Sequence, residues 1–253
     1  MWAIQNPKYC IHRNTHVAPT EIAKPIKSRR KGSSNCRGQC RASCKNKAVA
    51  ASNLFDKEDD FEAFERVLKE TLCLRSMRVC AYCWTSNHWH FVLRPEHDGD
   101  LPAFMQQPTN THVKRWKEHR HETGYGPLYQ GRYKSFPVQT EDYFYQVIRY
   151  VERNALRAKL VEQAEQWHWS SLCPSRRESN SEILAAWPLP RPADRIEMVN
   201  EPQTEAELRA VRDCVQRGTP FGDEHWAVAT AGRLRLEPSL RPRGRPKNRT
   251  DGP

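Results

Sequence analysis

His88 and His90 flank Trp89 in the run SNHWHFVLRP, residues 86–95, and Tyr150 and Asn154 stand four residues apart further along the chain. On a strand, alternate side chains share a face, so the two imidazoles point one way while Trp89 and Phe91 point the other. Two imidazoles side by side can grip one cation; the same pattern also fits a half-buried strand with a polar outer face. On a helix, Tyr150 and Asn154 lie on one face about one turn apart. Tyr143 precedes them by two turns and Arg157 follows by two turns on roughly that face. A tyrosine can act as a covalent nucleophile, an asparagine carbonyl is a hard oxygen ligand, and imidazoles can complete a divalent metal site. Taken alone, Tyr150 reads first as a packed aromatic.

A rival metal site uses Cys80 and Cys83, which lie just upstream of the two histidines and with them could form a zinc knuckle. On a regular strand Cys80 and Cys83 face opposite sides of the sheet, so joint ligation needs a turn between them. Cys36, Cys40 and Cys44 recur at every fourth position. Nine cysteines and no apolar signal segment near the N-terminus point to a reducing, cytoplasmic setting with free thiols. No apolar run reaches membrane-spanning length.

The elements that must position these residues follow from periodicity. Asp59 or Asp60 can cap a helix whose apolar positions are Phe61, Phe64, Val67, Leu68 and Leu72. MRVCAYCW and HWHFVLR are strands of a hairpin, joined by the polar turn Thr85-Ser86-Asn87. Leu101–His119 predicts a second helix, which Pro108 should kink or break. GPLYQGRYKSFPVQ supplies glycine turns and another strand, and Thr140, Glu141 and Asp142 open a long helix, EDYFYQVIRYVERNALRAKLV. Helix, strand, strand, helix, strand, helix implies an α+β fold with an antiparallel sheet covered by helices. Thr204 to Glu207 matches a capping box, with Leu208, Val211 and Val215 on one stripe and Gly218 as terminator; a second short helix is expected from about Asp223.

Charge is concentrated at the ends. The formal total is +11, yet residues 1–45 hold ten Lys/Arg against one acid and residues 233–253 hold seven against two, which leaves the middle slightly acidic. Residues 1–45 lack apolar periodicity and read as disordered or poorly packed. The tail LRPRGRPKNR is similar to an AT-hook, with Arg243, Gly244 and Arg245 inserting into the minor groove of A·T-rich duplex DNA; a solvated basic tail is the alternative.

SNHWHFVLRP, GPLYQGRYKSFPVQ, RYVERNALRAKLV and WHWSSL, in this order and spacing, closely resemble the single-tyrosine transposases of the His-hydrophobe-His type, particularly the REP-associated tyrosine transposases. The resemblance runs from about Asn46 to Leu172. It implies a ferredoxin-like (RRM-like) antiparallel sheet with helices on one face, the histidines on a central strand and the tyrosine on a facing helix. By the same resemblance Tyr150 is the nucleophile, and His88, His90 and Asn154 are ligands of Mg²⁺ or Mn²⁺. The partner implied is single-stranded hairpin DNA, cut through a 5′-phosphotyrosine, with a homodimer among the expected states. Arg132, Lys134 and Arg157 are expected DNA contacts, and Tyr129 and Tyr133 are expected to stack on bases. The division that follows is a basic segment 1–45, a catalytic domain 46–172, a linker 173–203, a helical hairpin 204–236 and a basic tail 237–253.

Two features depart from the pattern. Where the family opens with a strand of Tyr-His-like pattern, this chain reads CRGQCRASCK, which has weak sheet propensity, and Pro108 interrupts the second helix. They raise an alternative to the enzyme: a DNA-binding remnant that no longer cleaves.

Overall fold

The computed structural model describes residues 53–124, 126–140 and 142–241, together with the backbone of two short strands nearer the N-terminus, β1 (Trp2–Ala3) and β2 (Ala42–Lys47). After β2 come α1 (Glu58–Leu74), β3 (Arg78–Thr85), β4 (His88–Arg94), α2 (Asp100–His119) and β5 (Lys134–Pro137). The sheet order is β1-β5-β2-β4-β3. β2 pairs antiparallel with both β4 and β5, and β3 pairs antiparallel with β4. The β-α-β-β-α-β succession with this strand order is the ferredoxin-like arrangement, and the fold is α+β as expected.

β2 occupies the place that CRGQCRASCK left in doubt. Its weak intrinsic propensity is outweighed by pairing on both sides, Asn46 opposite Trp89 and Ser43 opposite Phe136. β1 (Trp2–Ala3) and the start of β2 at Ala42 thus both lie inside the segment read as disordered. The rest of that reading, residues 4–41, lies outside the described residues.

One expectation needs correction: helices cover both faces, not one. α1 and α2 pack Phe61, Phe64, Leu68, Phe104 and Trp116 against Tyr82, Trp84, Trp89, Phe91 and Leu93. The opposite face carries Cys80, Ala81, Cys83, Val92 and Phe136, and it is covered by α3 (Asp142–Glu152) and α7 (Glu205–Arg217). Nearly every residue of β3 and β4 is buried, and strands apolar on both faces require a layer on each. α2 runs unbroken through Pro108, because Leu101, Phe104 and Met105 before it and Trp116 after it anchor both halves in one core. The long helix expected from residue 142 is instead α3 followed, after Arg153, by the single turn α4 (Asn154–Arg157).

The segment read as a linker, 173–203, does not stand apart: its first part continues from WHWSSL, the end of the expected catalytic domain, along the sheet. Residues 167–187 run along the otherwise open edge of β3: Trp84 N–H donates to the Trp169 carbonyl (2.9 Å), Ser171 N–H to the Tyr82 carbonyl (3.0 Å) and Ala185 N–H to the Val79 carbonyl (2.8 Å). An unpaired edge would invite pairing with another chain, and WHWSSL closes it. Two short helices follow, α5 (Arg177–Ile183) and α6 (Arg195–Asn200), with Ile183, Trp187 and Val199 buried. α7 then starts with the expected Thr204–Glu207 capping box and stops at Gly218, whose φ of 72° suits glycine. α8 (Glu224–Leu234) and a last turn, α9 (Glu237–Leu240), complete the described chain. The five described cysteines, Cys73, Cys80, Cys83, Cys173 and Cys214, are free thiols, and no described helix is long and apolar enough to cross a membrane.

Candidate active site

β4 fixes the two histidines. It lies between β2 and β3, so its backbone is paired on both sides, and alternation sends Trp89, Phe91 and Leu93 into the α1/α2 core. His88 and His90 face the other way, with ring centroids 5.0 Å apart and an interplanar angle of 84°. The turn before them is held from outside, since the Ser86 carbonyl accepts from the backbone N–H groups of Leu54 and Phe55 at 2.8 and 2.9 Å.

α3 fixes the tyrosine. Phe144, Val147, Ile148 and Val151 pin it to the sheet, which aims Tyr150 at β4. The Tyr150 ring meets His90 edge-on, centroids 5.8 Å apart at 87°, and Tyr150 is only 3% exposed while His90 is fully buried. After the break at Arg153, Asn154 reaches both histidines with its amide: Nδ2 lies 3.0 Å from His88 Nε2 and Oδ1 lies 3.2 Å from His90 Nε2.

The hydrogen bonds assign the tautomer of His88. Arg157 Nη2 meets one Asn154 amide atom at 2.9 Å, and a guanidinium only donates, so that atom is the oxygen. The amide nitrogen must then donate to His88 Nε2, leaving the proton of a neutral His88 on Nδ1. There it has two oxygens within reach, Asn87 Oδ1 at 2.5 Å and Thr85 Oγ1 at 3.0 Å. This is the state an imidazole needs to offer its Nε2 lone pair to a cation, with the other ring nitrogen held by a neighbour. Thr85 and Asn87, read in the sequence only as turn residues, thus hold the His88 ring; their signal was a side-chain oxygen on each side of the turn that delivers His88.

Arg157 lies at the centre of the site. Its guanidinium stacks over the Tyr150 ring at 4.2 Å and Nη1 donates to the Tyr150 carbonyl at 3.2 Å. Burial, and the charges of Arg212 and Arg153, pull it below the ordinary guanidinium range.

Other expected site residues scatter. Tyr129 is buried beneath the opposite face of the sheet, where its hydroxyl accepts from Trp89 Nε1 (3.2 Å) and bonds His112 Nδ1 (2.6 Å), so stacking on bases is ruled out by burial. Tyr133 is half-buried against the α1/α2 core. Lys134 donates to the Gln216 carbonyl on α7 (3.1 Å), and Arg132 is exposed. Tyr143 packs edge-on against Phe221, centroids 5.1 Å apart. Arg243 and Arg245 lie outside the described residues.

Cys80 and Cys83 do share a face, because β3 slips register between Val79 and Ala81 and takes Cys80 in as an extra residue. The bulge has a structural use: Trp187 Nε1 donates to the Cys80 carbonyl at 2.7 Å. No knuckle results, for among the described residues no three His, Cys, Asp or Glu side chains gather as a metal cage. Burial also pushes the Cys83 thiol up to about 12, away from the thiolate a metal requires.

Residues 39–154 match the family model for IS200-like transposases. No curated protein is similar to the chain. Among solved structures, a REP-associated tyrosine transposase bound to a REP hairpin is 15% identical with a TM-score of 0.45, over 64% of this chain and 96% of that one, a likeness too slight to carry an argument. The family match spans His88, His90, Tyr150 and Asn154, so the segment of the chain that builds this site is similar to the IS200-like transposases.

Proposed function

We propose that the chain is a metal-dependent endonuclease and strand-transferase that cuts hairpin-containing single-stranded DNA and holds the new 5′ end on Tyr150. The observation that carries this reading is the amide of Asn154 between two imidazole nitrogens, next to a tyrosine on the preceding helical turn. Two imidazoles and one amide oxygen are a donor set that suits Mg²⁺ or Mn²⁺ with positions left for substrate. His88 and His90 through Nε2 and Asn154 through Oδ1 would hold the ion, and a bound ion supplies Lewis-acid polarisation of the scissile phosphate.

The rest of the chemistry belongs to the chain. The Tyr150 oxygen attacks phosphorus, the P–O3′ bond breaks, and the phenol proton is balanced by the one gained on the departing 3′-hydroxyl. The phosphotyrosyl bond retains the energy of the phosphodiester, so attack by a second 3′-hydroxyl rejoins strands without ATP. Arg132 and Lys134 are proposed contacts to the DNA backbone and Tyr133 a stacking contact. The tail with Arg243 and Arg245 is proposed to bind A·T-rich duplex, and the cytoplasm is the proposed setting. The hairpin rests on the sequence resemblance. The remnant reading drew on a doubtful first strand, and Ala42–Lys47 pairs in that place.

Hairpin DNA labelled on the 3′ side of the cut tests the proposal. In Mg²⁺ or Mn²⁺ the label should migrate with the protein on a denaturing gel, and EDTA should abolish the band. No adduct under either ion would leave only the DNA-binding remnant.

A further inference from the structure

α3, α4 and α7 gather positive charge beside Tyr150. Arg149, Arg153 and Arg157 recur at every fourth residue, which sets them on one helical side. α7 packs against α3 and brings Arg212 to the same place. The cluster is incompletely neutralised. Arg149 pairs with Glu207 at 3.6 Å and donates to the Glu201 carbonyl at 3.3 Å. Arg212 reaches Glu205 only at 3.9 Å. Arg153 Nη1 is spent on the Val199 carbonyl (3.0 Å) and the Asn200 carbonyl, which cap α6 but bear no formal charge. Arg157 meets an amide oxygen, a carbonyl and a ring, again without an acid. The buried carboxylate of Glu152 is engaged by Arg195 and by Ser171 Oγ at 2.5 Å.

Partly buried arginines held close together repel one another: Arg149 opposes the charge of Arg153, and both Arg153 and Arg212 oppose that of Arg157. Such an arrangement is relieved by an anion, and a row of guanidiniums ending at a nucleophilic tyrosine fits successive phosphates of one strand.

We infer that Arg153, Arg157 and Arg212 form a binding site for the backbone phosphates of single-stranded DNA next to the scissile one, so that α7, outside the matched family segment, contributes to substrate binding. This rests on Tyr150 being the nucleophile for that DNA. Arg157, one of the expected DNA contacts, thereby acquires two partners that the sequence did not single out. Arg209, exposed on the outer side of α7, carries the same charge but takes no part.

The test is made in the full chain carrying Tyr150→Phe, without divalent metal, so that it reads binding alone and is separate from any failure to cleave. The probe is the hairpin oligonucleotide, titrated across a salt series. Arg212→Gln should weaken binding about 5- to 30-fold at low salt and make the slope of log Kd against log salt shallower by about 0.7, the release expected for one single-strand phosphate. Arg212→Lys should restore the slope, and Arg209→Gln should change affinity by less than about 2-fold. A scan placing one neutral methylphosphonate at a time should find a position that costs affinity in the parent and none in Arg212→Gln. Equal losses from Arg209→Gln and Arg212→Gln, or a scan that affects parent and variant alike at every position, would overturn the inference.

Discussion

Asn154 donates its amide Nδ2 to His88 Nε2 at 3.0 Å, which joins the strand of the histidines to the helical turn that follows Tyr150. If this amide marks the place of a cation, Asn154→Ala, His88→Ala and His90→Ala each weaken Mn²⁺ binding by about 10-fold or more, because the donor set is sparse. Thr85→Val and Asn87→Ala should cost up to about 10-fold through loss of the Nδ1 partner. Titration of free Mn²⁺ by electron paramagnetic resonance reads all five. Stoichiometric zinc that vanishes in Cys80→Ser and Cys83→Ser would instead favour a knuckle.

Glu152, fully buried two residues after Tyr150, ties α3 to α6 through Arg195 and to β3 through Ser171, whose Oγ also accepts from the Tyr82 N–H at 3.0 Å. Removing one partner leaves a charge buried without compensation. Arg195→Met should lower unfolding free energy by about 3 kcal/mol in chemical denaturation. The double variant Arg195→Met with Glu152→Gln should recover part of that loss.

His112 should make the fold acid-sensitive. Burial holds its folded pKa at about 3, and Tyr129, whose oxygen already accepts from Trp89, donates its hydroxyl proton to His112 Nδ1. The folded value is depressed, so its stabilising contribution is intact above the unfolded pKa near 6.5. It is lost as pH falls from there toward 3, with a slope approaching about 1.4 kcal/mol per pH unit. Unfolding free energies between pH 7 and pH 4 should show that slope in the parent and a shallower one in His112→Gln.

Deleting residues 241–253 removes five Lys/Arg and one acid. The salt slope for A·T-rich duplex should become shallower by up to about five, while single-turnover cleavage at saturating hairpin hardly changes. Equal affinity for A·T-rich and G·C-rich duplexes before and after the deletion would leave only a solvated tail.

Much of the site was legible because it rests on short-range periodicity. The alternation of His88, Trp89 and His90 set which face of β4 meets α3, and the spacing of Tyr150 and Asn154 put both on that face. What local pattern could not reveal was long-range. The bulge at Cys80 depends on a register slip against β4, and the burial of Tyr129 depends on Trp89 and His112. The edge role of residues 167–187 depends on β3 needing a partner, and residues 173–187 of that stretch read as a linker. Pro108 and Ala42–Lys47 were judged by propensity, and in both places packing or pairing prevailed.

The most direct measurement is mass spectrometry of the protein–DNA adduct after trypsin and nuclease digestion. The account predicts a nucleotide on the peptide that carries Tyr150, formed in Mg²⁺ or Mn²⁺ and absent from Tyr150→Phe even though that variant binds the hairpin with nearly unchanged affinity. A nucleotide on Tyr143 or any other residue, or an adduct that persists in Tyr150→Phe, would contradict it.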